Sequence, residues 1–153
     1  MSGSAGGPAG RGGEPGGGVP TRPTGRLRLR ETSWRLAVCR FPADAPLPAW
    51  VLHGEAEFFS ITRTPHELSV VCAEDDLPPS VDRDVERDWR AFAVVGPLPF
   101  GLTGVVSGLT GPLAAAGIPV FVLSTYETDY VLVKSADYLR AFGILADSFE
   151  MVD

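Results

Sequence analysis

The sequence predicts an α+β protein: two tandem units of strand–helix–strand–strand–helix–strand order, each an antiparallel sheet with its helices on one face. Three observations carry that reading. A stretch of the first half of the chain repeats in the second, apolar residues switch between strand-like and helix-like spacing, and Pro/Gly connections separate the runs.

The repeat is FFSITRTPHELSVVC (Phe58 to Cys72) laid without a gap over VFVLSTYETDYVLVK (Val120 to Lys134), at an offset of 62. Phe59 then meets Phe121, Ile61 meets Leu123, Glu67 meets Asp129 and Val71 meets Val133. Upstream, WRLAV from Trp34 resembles WRAFAV from Trp89, so two matching blocks occur in the same order. This divides the chain into a tail (1–33), a first, reduced unit (34–88) and a second unit (89–153).

In the second unit, RAFAVVG (Arg90 to Gly96) has the β-branched and aromatic content of a strand. PLPFG follows as a connection, because Pro97 and Pro99 cannot join a central ladder. From Leu102 the apolar residues Val105, Val106, Leu109, Leu113 and Ala116 keep helical spacing, with Thr103 as N-cap and Gly117 before Ile118-Pro119 as the stop. Pro112 inside this run is expected to kink the helix or begin its last segment. VFVLS and YVLVK are strands joined by a hairpin at YETD. A helix then follows over SADYLRAFGILADSF, capped by Ser135, with Leu139, Phe142, Leu145 or Ala146, and Phe149 on one face. FEMV closes the unit as an edge strand. The first unit has a short helical segment near PLPAWVL and a poor second helix in EDDLPPSVDRDVER, whose charges form a solvated face.

Composition bounds the function. The 153 residues are 44% hydrophobic, enough for a sizeable core in one ordinary domain or two small units. Residues 1–33 hold 10 of the 18 glycines, four prolines and five arginines against two glutamates, a composition that cannot offset its ordering entropy and reads as a disordered tail. Removing its net +3 from the total of −6 leaves a body near −9, a poor nucleic-acid binder because phosphate neutralisation dominates that affinity. No run approaches the roughly 18 to 20 apolar residues of a membrane span, and no apolar segment follows the first charges as in a secretory leader. The expectation is a soluble, cytoplasmic protein. Cys39 and Cys72 each sit inside an apolar run and read as buried free thiols. His53 and His66 lie in turn-like surroundings and no pair has ligand spacing, so neither a metal nor another cofactor is expected. Nor does a GxSxG, Walker loop, CxxC or HExxH occur, which argues against an enzyme.

Strand–helix–strand–strand–helix–strand is the ferredoxin-like plan, whose bare sheet face and edges commonly pair with a second copy. The block GPLPFGLTGVVSGLTGPLAAAGIPVFVLSTYETDYVLVKSADY resembles the ACT-domain superfamily of amino-acid-binding regulatory modules. More narrowly, it is similar to the branch found in aspartate-kinase regulatory parts and in the cytosolic arginine sensor of animals. FFSITRTPHELSVVC with WRAFAVVGPLPFGLTG resembles small stand-alone bacterial members of that branch. The resemblance covers about Trp34 to Val152, and implies a non-catalytic protein that binds an amino acid, pairs as a homodimer and regulates an enzyme on a separate chain.

The resemblance also implies a site, where the loop from first strand to helix faces a strand or loop of another unit. That loop is Phe100, Gly101, Leu102, Thr103 and Gly104, whose glycines let amides approach a ligand and whose helix start suits an α-carboxylate, the dipole alone contributing roughly 0.3 to 1 kcal/mol. Ser124, Thr125 and Tyr126 end a strand and offer carbonyls or hydroxyls to an ammonium group. Asp129 matches in position the acid that binds the ligand's cationic end in arginine-sensing relatives, and a cationic ligand would remove the cost of a carboxylate facing a dry pocket. Bland roles stand beside these: a tight turn for Gly101 and Gly104, an N-cap for Thr103, a hairpin acid for Asp129. Glu127 reads as a turn or surface acid, because alternate strand residues face opposite ways. Glu67, through its alignment with Asp129, could mark a second site. The alternative function is a ligand-free dimerisation or interaction module.

Overall fold

A computed structural model describes residues 25–153. Seven strands form one sheet in the order β2-β3-β1-β4-β6-β5, with β7 beside β1. The long strands β1 (Arg28–Phe41) and β4 (Val85–Val94) lie antiparallel at its centre. Strands β2 (Ser60–Arg63) and β3 (Leu68–Ala73) extend it on one side, and β5 (Val120–Ser124) and β6 (Asp129–Lys134) on the other. The short β7 (Glu150–Val152) runs parallel to the start of β1.

Each central strand serves both halves of the sheet. Residues Leu36 to Phe41 of β1 pair with β3, whereas Arg28 to Arg30 lie between the end of β4 and β7. Register shifts between Glu31 and Arg35 and between Leu36 and Val38 mark where the ladder passes from one half to the other. At the second shift Arg87 and Asp88 of β4 oppose Ala37 of β1, one residue too many, and Asp88 has φ of 63°, a left-handed conformation that Asp tolerates better than most residues. Its amide donates to a Glu74 carboxylate oxygen (3.2 Å) and its carbonyl accepts from Ser135 Oγ (3.1 Å), so the bulge is tied on both sides.

The strand pairing corrects the expected tail. Residues 28–33, counted with it from their arginines, belong to β1, because Leu29 alternates with charged neighbours and is fully buried beneath the helices. Residues 25–27 lead into this strand, and residues 1–24 lie outside the described residues.

All helices pack on one sheet face. Helices α2 (Val105–Ala115) and α3 (Tyr138–Ala146) bury Leu109, Leu113, Ala141 and Leu145 against Leu29, Phe92, Val94, Val131 and Val133. Helix α1 (Ala49–Leu52) brings Val51 onto Ala37, Cys39, Leu68, Val70 and Cys72. Among the described residues the opposite face has no helix. Its small central residues, Leu36, Val71, Ala91 and Leu132, are covered by an aromatic layer in which Trp34 stacks on Phe58 (4.8 Å), Phe58 meets Tyr130 (5.0 Å), and Trp89 meets Phe121 (6.1 Å).

Both cysteines are free and buried, as read from their apolar runs. They sit diagonally across the β1–β3 ladder, Cys39 opposite Val70 and Cys72 opposite Ala37. The neighbouring Cys39 thiol and, after it, burial push Cys72 well above the usual thiol range, and the Cys72 thiol donates to the Ala37 carbonyl (4.0 Å).

Local readings shift in four places. α2 begins at Val105, and its N-cap is Gly104 (φ 85°) with no side-chain cap, so Thr103 is not the cap and Leu102 precedes the helix. The helix runs through Pro112 without interruption, since the missing N–H is a single bond near its end, and closes on Gly117 (φ 71°) with amides of Gly117 and Ile118 donating to Ala114 and Leu113 carbonyls. α3 follows a 3₁₀ turn at Ser135–Asp137 and buries Tyr138, Ala141 and Leu145; Leu139 is 83% exposed, because the turn rotates the apolar stripe by one residue. In the first half no second helix forms: EDDLPPSVDRDVER holds one 3₁₀ turn (Glu74–Asp76) and the start of β4, as Pro78-Pro79 permits.

The two hairpins also correct the repeat. β2–β3 pairs Ser60 with Val71 and Arg63 with Leu68, while β5–β6 pairs Phe121 with Leu132 and Ser124 with Asp129. Equivalent residues are therefore 61 apart, not 62. A one-residue slip exchanges sheet faces, and apolar residues on both faces of β3 and β6 hid the error. The counterpart of Asp129 is the buried Leu68 rather than Glu67, and that of Ser124 is Arg63.

Candidate functional site

A cleft of about 310 Å³ opens between the β4–α2 connection and the β5–β6 hairpin. One wall is Leu98, Pro99, Phe100, Leu102 and the first turn of α2 from Gly104 to Ser107; the other is Ser124 to Asp129. Its size is at the lower end of small-molecule sites, roughly 300–1,000 Å³.

The walls are tied together from behind. Leu98 N–H donates to the Glu127 carbonyl (2.8 Å), and Thr128 Oγ1 donates to the carbonyl of Val94 at the end of β4. Gly96 allows this approach, since a Cβ there would lie 2.7 Å from the Glu127 oxygen. The hairpin is fixed internally: Thr125 N–H donates to the Thr128 carbonyl (2.8 Å), and Thr128 N–H donates to Thr125 Oγ1 (3.2 Å).

The chemistry of the two walls differs. At the start of α2 the amides of Val105, Val106 and Ser107 have no intrahelical acceptor, so this wall presents N–H donors and a partial positive charge. The opposite wall presents the half-buried Asp129, which accepts a hydrogen bond from Ser124 Oγ across the last rung of the ladder. The mouth is aromatic: Phe100 and Tyr126, 76% and 81% exposed, meet edge to face at 4.8 Å. Such a site can hold a zwitterion, with its anionic end on the helix and its cationic end on the carboxylate.

Of the residues expected at the site, Leu102, Gly104, Ser124, Thr125, Tyr126 and Asp129 line this one cleft; Gly101 and Thr103 are exposed and do not. Glu127, set aside as a turn acid, is in the turn but also lines the cleft. The sequence reading put Phe100 in the loop without a binding role and missed Val106 and Ser107. An exposed aromatic in a Pro/Gly connection facing a second in the hairpin was the available signal. Among the described residues no three metal-ligating side chains cluster, and no helix is long and apolar enough to cross a membrane.

A family model for the ACT domain matches residues 84–147, which includes both walls of the cleft, and a second model, described as an N-terminal domain, matches residues 35–80. The human protein CASTOR3P is 36% identical over 148 residues, covering 82% of this chain and 90% of that protein. The chain belongs to the ACT-domain family. The cytosolic arginine sensor for mTORC1 subunit 1 of Bos taurus is 33% identical over 107 residues, 64% of this chain, and the ACT-domain chain matches 32% of that sensor's length. A crystal structure of an Agobacterium tumefaciens protein superposes with a TM-score of 0.75 at 35% identity, covering 84% of this chain and 94% of the other. The ligand-free regulatory subunit of aspartate kinase from Thermus thermophilus shares the fold alone, with a TM-score of 0.53 at 15% identity over 76% of this chain and 92% of that one. The chain is thus homologous to part of a protein named as an arginine sensor, and the aspartate-kinase subunit adds likeness of fold.

Proposed function

We propose that this protein is a non-catalytic amino-acid sensor whose ligand lies in the cleft between the β4–α2 connection and the β5–β6 hairpin. The observation that carries the reading is the pairing of opposite polarity across one small cleft: the amides of the α2 start on one wall, the Asp129 carboxylate on the other. The α-carboxylate sits on the helix start, and carbonyls and hydroxyls of Ser124 and Thr125 take the α-ammonium. Asp129 takes a cationic side chain, for which arginine is the first candidate because a homologue bears the name of an arginine sensor. Phe100 and Tyr126 cover the ligand's aliphatic stem.

The two halves of the sheet act as two tandem ACT units, the second carrying the site. Occupancy is passed on through a cytoplasmic homodimer to a regulated protein on another chain. A sensor working at cellular amino-acid levels requires micromolar to millimolar affinity, about −8 to −4 kcal/mol. A thermal-shift screen of the full chain against the common amino acids tests this, with a saturable rise in melting temperature expected for cationic ones. The second reading, a ligand-free interaction module, is favoured by the exposure of Phe100 and Tyr126 at the cleft mouth. A screen in which no amino acid raises the melting temperature would select it.

A further inference from the structure

The first half of the sheet has a counterpart of these two walls, the β1–α1 connection (residues 42–48) beside the β2–β3 hairpin. With equivalent residues 61 apart, the Ser124–Asp129 rung becomes Arg63–Leu68. The hairpins are alike in detail: Thr64 N–H donates to the Glu67 carbonyl (2.9 Å) as Thr125 N–H donates to that of Thr128 (2.8 Å), and each threonine hydroxyl accepts from the amide three residues on. What differs is the rung facing the connection. Arg63 extends from the hairpin, and its two terminal nitrogens donate to the carbonyls of Ala43 and Ala45, the second at 2.7 Å.

We propose that Arg63 is a built-in ligand: its guanidinium bridges hairpin and connection where, in the second half, a free molecule would do so, and it leaves the chain with one open site. Three features support this. The planar fork satisfies two carbonyls of one connection together, which an ammonium cannot match in geometry. Its contacts among the described residues are backbone carbonyls rather than a carboxylate, so they define a guanidinium seat and not a surface ion pair. The rung residue opposite Arg63 is the buried Leu68, which cannot receive a cation from solution as Asp129 can. Removing the side chain would then open a seat for a free guanidinium in the first half.

The test is chemical rescue on the full chain. Arg63→Ala is expected to lower the melting temperature and to speed hydrogen exchange of amides in residues 43–49 about tenfold or more. Millimolar methylguanidinium should restore both, raising the melting temperature by about 2–4 °C. Methylammonium should restore neither, and exchange at residues 43–49 of wild type should respond to neither. Arg63→Met, which keeps the aliphatic stem, serves where the alanine variant folds poorly. An Arg63 variant with unchanged stability and exchange, or rescue equally by methylammonium, would overturn the proposal. The outcome is distinguishable from amino-acid binding in the second half, because exchange is read at residues 43–49 of the first half, away from Asp129. Rescue in a protein that binds no amino acid would leave this inference standing and remove the sensor reading.

Discussion

Ser124 donates a hydrogen bond to Asp129 across the last rung of the β5–β6 hairpin, and the equivalent rung in β2–β3 is Arg63 opposite Leu68. The same backbone position therefore carries an acid with a polar neighbour in one half and an apolar residue with a cation in the other. The turn itself is already held by Thr125 and Thr128, so the role proposed for Asp129 is toward a ligand.

Asp129→Asn keeps the size of the side chain and an acceptor for Ser124 but removes the charge. A hydrogen bond to a charged group contributes about 1.5–3 kcal/mol, so affinity for a cationic amino acid should fall about 10- to 100-fold while stability changes little. Calorimetry with wild type and variant checks this. Equal loss for neutral and cationic amino acids would show that Asp129 does not read the side chain.

Gly96→Ala tests how the walls are joined. Its Cβ would lie 2.7 Å from the backbone carbonyl oxygen of Glu127, so connection and hairpin must separate. Overpacking of this kind costs about 1–3 kcal/mol. The expected outcome is a lower melting temperature together with weaker ligand binding, because the Leu98–Glu127 bond is lost with the contact.

Tyr138 gives a pH prediction. Burial, followed by its hydrogen bond to Glu31, pushes its phenol up to about 12. The folded value lies above the unfolded value of about 10, so the neutral phenol is favoured by folding. Its contribution is fully present below pH ~10 and is lost as pH rises toward 12. Tyr138→Phe keeps the stack on Phe92 (4.6 Å) and should flatten the fall in stability over that range, measured by denaturant midpoints. An unchanged alkaline slope would place the titration elsewhere.

Much of this molecule was legible in the chain because its signals are local. The β5–β6 hairpin, the stop at Gly117 and the short α1 follow from β-branched runs, a left-handed glycine and proline spacing. What was not legible depends on partners distant in sequence. Arg28 to Arg30 become strand only because β4 and β7 lie on either side. The slip of one residue in the repeat arose because β3 and β6 are apolar on both faces, so periodicity could not tell the helix-covered face from the aromatic one. At the site, the cluster from Ser124 to Asp129 was readable as polar residues interrupting a strand pair. Phe100 was readable as part of the connecting loop, but its contact with Tyr126, 26 residues away, was not, because that contact is tertiary.

Phe100→Ala and Tyr126→Ala test the aromatic mouth. Both rings are largely exposed, so neither change should alter stability by more than about 0.5 kcal/mol. In the sensor reading each weakens binding of a long cationic ligand, by several-fold, and leaves glycine binding unaltered; thermal shifts with arginine and glycine separate the two.

The central claim is that an amino acid occupies the cleft, and amide chemical shifts of the full chain titrated with arginine test it most directly. The account predicts saturable shifts at Val105, Val106 and Ser107 on one wall and at Ser124 to Asp129 on the other, with residues 43–49 of the first half unmoved. No shift at these amides up to about 10 mM of arginine or any other amino acid, weaker than the millimolar limit for a sensor, would contradict it.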